Sequence, residues 1–205
     1  TNNPITGTSS AFVPNSLLQE IAVLTGGFGA EYGNALSGVI NVTTKGGTEK
    51  YSGSMEVISD VGVDEIFNTT SQGYNLYNIS FGGPIFPTKS LAKVFNFFGG
   101  VERQYLKVRN PSYIAEDLFE NGHIPNFSQK IWSFNGKLNI NLQEIKKSKI
   151  PVNLRLGALV TQDVGQRFVV SYQKLNSFRN PLQRIDNYQF YGRISHNVTS
   201  KFFYE

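Results

Sequence analysis

From Tyr51 onward the chain alternates apolar and polar residues in runs about ten residues long, the side-chain period of a β-strand with one face in each of two environments. The clearest run is Ile131 to Leu142. Trp132, Phe134, Gly136, Leu138, Ile140 and Leu142 share one side; Ser133, Asn135, Lys137, Asn139 and Asn141 share the other. Tyr51 to Asp60 opposes Tyr51, Met55 and Val57 to Ser52, Ser54 and Glu56. Val94 to Lys107 opposes Phe95, Phe97, Val101 and Tyr105 to Asn96, Glu102 and Gln104. Val152 to Asp163 and Tyr188 to Thr199 follow the same rule, and Tyr74 to Gly82 follows it least cleanly, through Tyr77, Ile79 and Phe81. Six antiparallel strands are predicted, with Phe202 to Tyr204 opening a seventh.

The connectors carry a second signal. Longer ones (61–73, 108–130 and 164–187) alternate with shorter ones, although the first pair barely differs. A transmembrane β-barrel has that pattern, with long outer loops and short periplasmic turns. An extracellular β-sandwich, serving as an adhesion or carbohydrate-binding module, is the competing architecture. Its strands usually run about five or six residues, shorter than these. Tyr51, Phe81, Tyr105, Trp132 and Tyr188 fall near strand ends, where a barrel carries its aromatic girdles.

The first fifty residues differ. Two short β-like runs, Glu20 to Leu24 and Val39 to Thr43, flank a glycine-rich stretch from Gly26 to Gly38, and the block closes on Lys45-Gly46-Gly47-Thr48. Residues 1–48 are therefore read as one unit and 49–205 as a second.

Composition narrows the classes of function. With no Cys, and with His123 and His196 far apart, neither a disulfide framework nor a metal site is expected, and no cofactor is implied. The net charge of +4 is scattered along the chain, so no nucleic-acid footprint is expected. Mean hydropathy is negative and no long apolar run occurs, which removes transmembrane helices but not strands. Thr1 to Gly7 carry no initiating Met, basic start or apolar stretch, so any export signal is expected upstream or already removed. Catalysis is not expected. Tyr32 stands where a dinucleotide fingerprint needs glycine, Leu36-Ser37-Gly38 lacks the first glycine of a nucleophile elbow, and the acidic pairs Asp60/Asp64 and Glu116/Asp117 read as loop charges.

The segments Glu20-Ile21-Ala22-Val23-Leu24, Gly26-Gly27-Phe28-Gly29-Ala30-Glu31-Tyr32-Gly33 and Gly38-Val39-Ile40-Asn41-Val42-Thr43-Thr44-Lys45 follow one another in this order. Together they resemble the closing part of the plug domain of TonB-dependent outer-membrane receptors. The Gly27-Phe28-Gly29 variant is similar to the branch of large Bacteroidetes-type nutrient importers. The resemblance implies an all-β fold: six or seven meander strands of a plugged antiparallel transmembrane barrel, incomplete here, preceded by the end of a small mixed plug domain. It implies a receptor in the bacterial outer membrane that takes up a siderophore, vitamin, glycan or peptide by energised rearrangement of the plug.

The implied partners are outer-membrane lipid, the ligand, a TonB-type energy-transducing protein acting through a segment upstream of Thr1, and, in the Bacteroidetes-type branch, a surface lipoprotein. Gly26, Gly27, Gly29, Glu31, Tyr32, Gly33, Gly38, Asn41 and Lys45 are then structural plug positions. Glu31, enclosed by a barrel wall, needs a cation, with Arg103, Lys137, Arg155 and Arg193 as candidates. Glu56, Glu102, Lys137, Arg155 and Arg193 are the lumen-facing charges expected against the plug. The longer loops offer Arg109, Tyr113, Phe119, His123, Phe127, Arg167, Tyr172 and Phe178 as candidate ligand contacts, because Arg and aromatic residues dominate binding hot spots.

Overall fold

The computed structural model describes residues 14–25, 39–67, 71, 73–88, 90–107, 126–145, 151–167, 169, 177–199 and 202–204. The fold is mostly antiparallel β-sheet. A two-stranded sheet joins β1 (Leu18–Leu24) to β2 (Val39–Thr44), and one turn of 3-10 helix, Asn15–Leu17, precedes it. A seven-stranded meander follows in sequence order: β3 (Ser52–Ser59), β4 (Asn75–Pro84), β5 (Phe95–Leu106), β6 (Gln129–Asn141), β7 (Val152–Gln166), β8 (Leu182–Thr199) and β9 (Phe202–Tyr204). A short helix, α1 (Val63–Phe67), lies between β3 and β4.

Two strands run longer than the alternation predicts. β7 continues to Gln166, and β8 begins at Leu182 rather than Tyr188. The missed part of β8 reads Leu-Gln-Arg-Ile-Asp-Asn. Arg184 and Asp186 occupy the otherwise apolar side and pair with each other at 2.8 Å, while Ile185 takes the polar side, so no alternation marks a strand there. The strand ends joined in the β3–β4, β5–β6 and β7–β8 pairs lie at one end of the sheet, where the longer connections fall, and those of the β4–β5, β6–β7 and β8–β9 pairs at the other, where the shorter ones fall.

Residues paired across an antiparallel ladder share a face, so the register sorts the sheet into two sides. On one side a continuous rung joins Glu56, Asn78, Glu102, Ser133, Thr161 and Asn187, and another joins Asn139, Arg155 and Arg193. The opposite side carries Met55, Ile79, Val101, Phe134, Val160 and Tyr188 along a single rung.

Burial on these two sides is the reverse of that in a soluble sandwich. Asn78 is 1% exposed and Glu102 4%, whereas Met55 is 72% and Phe190 74%. The small sheet covers the middle of the polar side and leaves its β3 and β8 flanks exposed. Leu17, fully buried, lies over Gly100, and the Lys137 ammonium donates to the Thr44 carbonyl. Among the described residues no second sheet packs on the apolar rows.

The apolar side has aromatic groups at both ends. At the short-connection end Tyr51 stacks on Phe81 with centroids 5.9 Å apart, and Phe97 meets Phe81 at a tilt with centroids 5.8 Å apart. At the long-connection end the Arg103 guanidinium lies 5.9 Å from the rings of Tyr77, Tyr105 and Trp132.

Candidate functional site

The polar side and the small sheet enclose a cleft of about 600 Å³ near the short-connection end. From the wall it is lined by Lys137 of β6, Arg155 of β7, and Tyr191 and Arg193 of β8; from the small sheet by Gln19, Val42 and Thr44. Arg155 and Arg193 are direct cross-strand partners, and Lys137 shares a rung with Gly157 and Tyr191. A side chain at position 157 would run into the Tyr191 ring, so glycine there lets the ring lie flat along the wall.

Three cations thus converge on one opening, and like charges directly opposed across a ladder are unfavourable by themselves. Such an arrangement is suited to receiving a carboxylate or carbonyl oxygens, and the Thr44 carbonyl already takes the Lys137 ammonium. The chain leaving the small sheet is held close by. The Lys45 N–H donates to the Leu17 carbonyl at 2.9 Å. Asn96, with its amide nitrogen turned toward them, donates to the carbonyls of Thr48 at 2.8 Å and Ala92 at 2.9 Å.

The acidic residues lie on the same face nearer the long-connection end. The Asn78 amide donates toward Glu102 at 3.5 Å and to the Val101 carbonyl at 3.4 Å, and Glu56 pairs in register with Asn78. Ser54 and Ser80 share a hydroxyl hydrogen bond of 2.8 Å on this side. Asn78 Oδ1, Ser133 Oγ, Asn135 Oδ1, Asn139 Oδ1, Asn153 Oδ1 and Thr161 Oγ1 are buried here with no protein partner among the described residues.

In a dry interior each such atom would cost about 1–3 kcal/mol. Together the six would cost about 6–18 kcal/mol, comparable to the ~5–15 kcal/mol that holds a typical domain folded. The polar side is therefore a hydrated surface or one pressed against donors, not a sealed core.

Glu56, Glu102, Lys137, Arg155 and Arg193 all stand on this polar side. Arg103 does not. It pairs with Tyr77 and Trp132 on the apolar side. Gly26, Gly27, Gly29, Glu31, Tyr32, Gly33 and Gly38 lie outside the described residues, as do Arg109, Tyr113, Phe119, His123 and Tyr172. Asn41 is placed in β2 opposite Ala22.

Of the other loop candidates, Phe127 is 8% exposed and packs inward, which does not suit a ligand contact. Phe178 is 69% exposed with the Arg179 guanidinium 5.8 Å from its ring, and Arg167 is exposed while its backbone N–H donates to Pro181.

Sequence reasoning passed over two positions. Tyr191 disguises itself as one more aromatic in an aromatic-rich strand, although its odd number places it with Arg193 on the polar side. Asn180, buried between the long connections, accepts from Val169 N–H at 3.4 Å and donates to the Asn126 carbonyl at 3.2 Å. Nothing in the local pattern around Asn180 signals that role.

Comparison with protein-family models, with curated proteins and with solved structures found no match for this chain.

Proposed function

We propose that this chain is part of a TonB-dependent outer-membrane receptor: the end of the plug followed by the first strands of the barrel, in a protein that imports a scarce nutrient such as a siderophore, vitamin, glycan or peptide. The observation that carries this reading is the inverted wall. Apolar rows face outward while a polar, partly charged side is covered in its middle by the small sheet. A barrel in a bilayer needs that distribution, because its lipid side is dry and its bore is wet.

Dimensions support it. Phe95 and Tyr105 stand ten residues apart on the apolar side of β5, which is about 34 Å of strand, or about 25 Å along the axis at a tilt of about 40–45°. That equals the height of the apolar band between the two girdles of an outer-membrane barrel. Among the described residues β3 and β9 each pair on one side only, and in a bilayer such edges are stable only when further strands close them. The cleft beneath the small sheet is the plug-to-wall contact in this reading, and its cations hold the plug in the bore.

These 205 residues contain no Cys, so single cysteines placed in them test the proposal in the whole protein once any cysteine outside them is replaced. In vesicles, Glu56→Cys on the exposed polar side of β3 is labelled by a charged maleimide, whereas Ile79→Cys and Phe190→Cys, held in hydrocarbon where the thiol does not ionise, are labelled only after the protein is unfolded in denaturant. Equal labelling of both faces by the charged reagent, or recovery of the protein in the soluble fraction, would overturn the reading.

A further inference from the structure

The apolar side of the wall carries a pair of cations that the import reading does not use. Arg103 pairs with Trp132 and Tyr105 with Lys130, so the two cations are diagonal neighbours across β5 and β6. Their charges lie 5.9 and 5.7 Å from the same Trp132 ring, and Arg103 is also 5.9 Å from the rings of Tyr77 and Tyr105. The ion pairs among the described residues, Lys93 with Glu49 and Arg184 with Asp186, take neither of these cations.

Ring faces attract a cation but satisfy few of its N–H donors, so five guanidinium and three ammonium donors still need oxygen acceptors. In the outer-membrane reading, on which this inference rests, the outward side meets lipid. A charge there is costly at the midplane and nearly free at the headgroup level. The aromatic belt around Arg103 is the feature that marks that level.

We propose that Arg103 and Lys130 grip the phosphate of an anionic lipid headgroup, with Trp132, Tyr77 and Tyr105 fixing its depth. The chemistry is charge complementarity: two adjacent cations, one of them able to bind a phosphate through two parallel N–H donors, while among the described residues the carboxylate on the same rung, Asp186, is taken by Arg184.

Trp132 reports on its own surroundings as the single tryptophan of this sequence. The whole protein is reconstituted into phosphatidylcholine vesicles containing acyl-brominated phosphatidylglycerol or acyl-brominated phosphatidylcholine. Quenching of the Trp132 signal, taken as the difference from Trp132→Phe, then gives the relative affinity for the two lipids.

The anionic lipid should be preferred by about fivefold or more, the contribution of a single basic residue near a charged membrane surface. The preference should vanish in Arg103→Gln/Lys130→Gln and persist when inorganic phosphate is added. Equal quenching by the two lipids overturns the proposal, as does a preference unchanged by the double substitution or one abolished by free phosphate. The comparison of lipids on unaltered protein stands even if the double variant folds poorly. If neither lipid quenches Trp132, the outward face does not meet hydrocarbon, and the outer-membrane reading falls with the inference.

Discussion

Gly99 and Gly100 are consecutive residues of β5 that face opposite ways, and they should respond to the same substitution with opposite signs. A Cβ built on Gly100 would lie 2.5 Å from Leu17 Cδ2 and 3.5 Å from both Leu17 Cδ1 and Ser80 Cβ; one built on Gly99 meets nothing within 4 Å. Leu17 is fully buried and anchors the small sheet to the wall, so it has little freedom to retreat.

Gly100→Ala should destabilise that contact by about 1–3 kcal/mol, the usual cost of an extra methyl in a packed site. Neither glycine has a positive φ, so Gly99→Ala adds no backbone strain and should stabilise by about 0.4–1 kcal/mol through the unfolded chain. The assay is urea unfolding of the whole protein in detergent or vesicles, followed by the loss of heat-resistant electrophoretic mobility.

Leu17→Ala in the Gly100→Ala background should recover part of the loss, with a coupling energy of about 1 kcal/mol, because the shortened side chain vacates the colliding volume. Should Gly99→Ala prove as damaging as Gly100→Ala, or should the pair with Leu17→Ala be simply additive, the assignment of faces in β5 is wrong.

Two further substitutions probe the same division. Phe134→Arg puts a charge on the apolar side and Glu56→Arg puts one on the exposed polar side of β3. The first should cost about 2–4 kcal/mol in vesicle-based unfolding and the second little, with the ordering reversed if the wall were a sandwich leaf. Lys137→Met removes the charged donor to the Thr44 carbonyl, worth about 1.5–3 kcal/mol. Hydrogen exchange in β2 should then accelerate by tenfold or more, since about 1.4 kcal/mol is one decade; unchanged exchange would mean the bond does not hold the small sheet.

The division into faces was readable from sequence because it depends only on residue parity within a strand, and parity survives errors of several residues at strand ends. Tyr77, Ile79 and Phe81 form the weakest alternating run, yet they still stand on the exposed side of β4. The edges of β7 and β8 were not readable. Beyond the apolar band both sides of a strand become polar, and Arg184 beside Ile185 carries no periodic signal.

The site was legible only as a set of charges on one parity. Which of them meet depends on inter-strand register. It is the register that sets Arg155 against Arg193 and moves Lys137 two residues along the wall, and no local pattern in β6, β7 or β8 encodes it. Arg103 shows the converse. Its parity was visible, but a guanidinium was assumed to prefer the wet side, and the aromatic cluster that makes the other side acceptable is assembled from β4, β5 and β6 together.

The opposed pair Arg155 and Arg193 also constrains what must face it. Both are exposed at the surface of the cleft, so their repulsion is screened and amounts to no more than about 1 kcal/mol; a nearby carboxylate would convert that cost into a gain. Glu31 lies outside the described residues, but it is the one acidic residue in the 26–38 block that the resemblance assigns to the plug.

Double-mutant cycles decide whether it serves. Glu31→Gln should couple to at least one of Lys137→Met, Arg155→Gln and Arg193→Gln by about 1 kcal/mol or more. It should show no coupling to Arg103→Gln, which lies on the other side of the wall. Coupling to Arg103, or to none of the four, would mean that the basic cleft holds some other anion and that the small sheet is retained by the Leu17 and Lys137 contacts without a buried carboxylate.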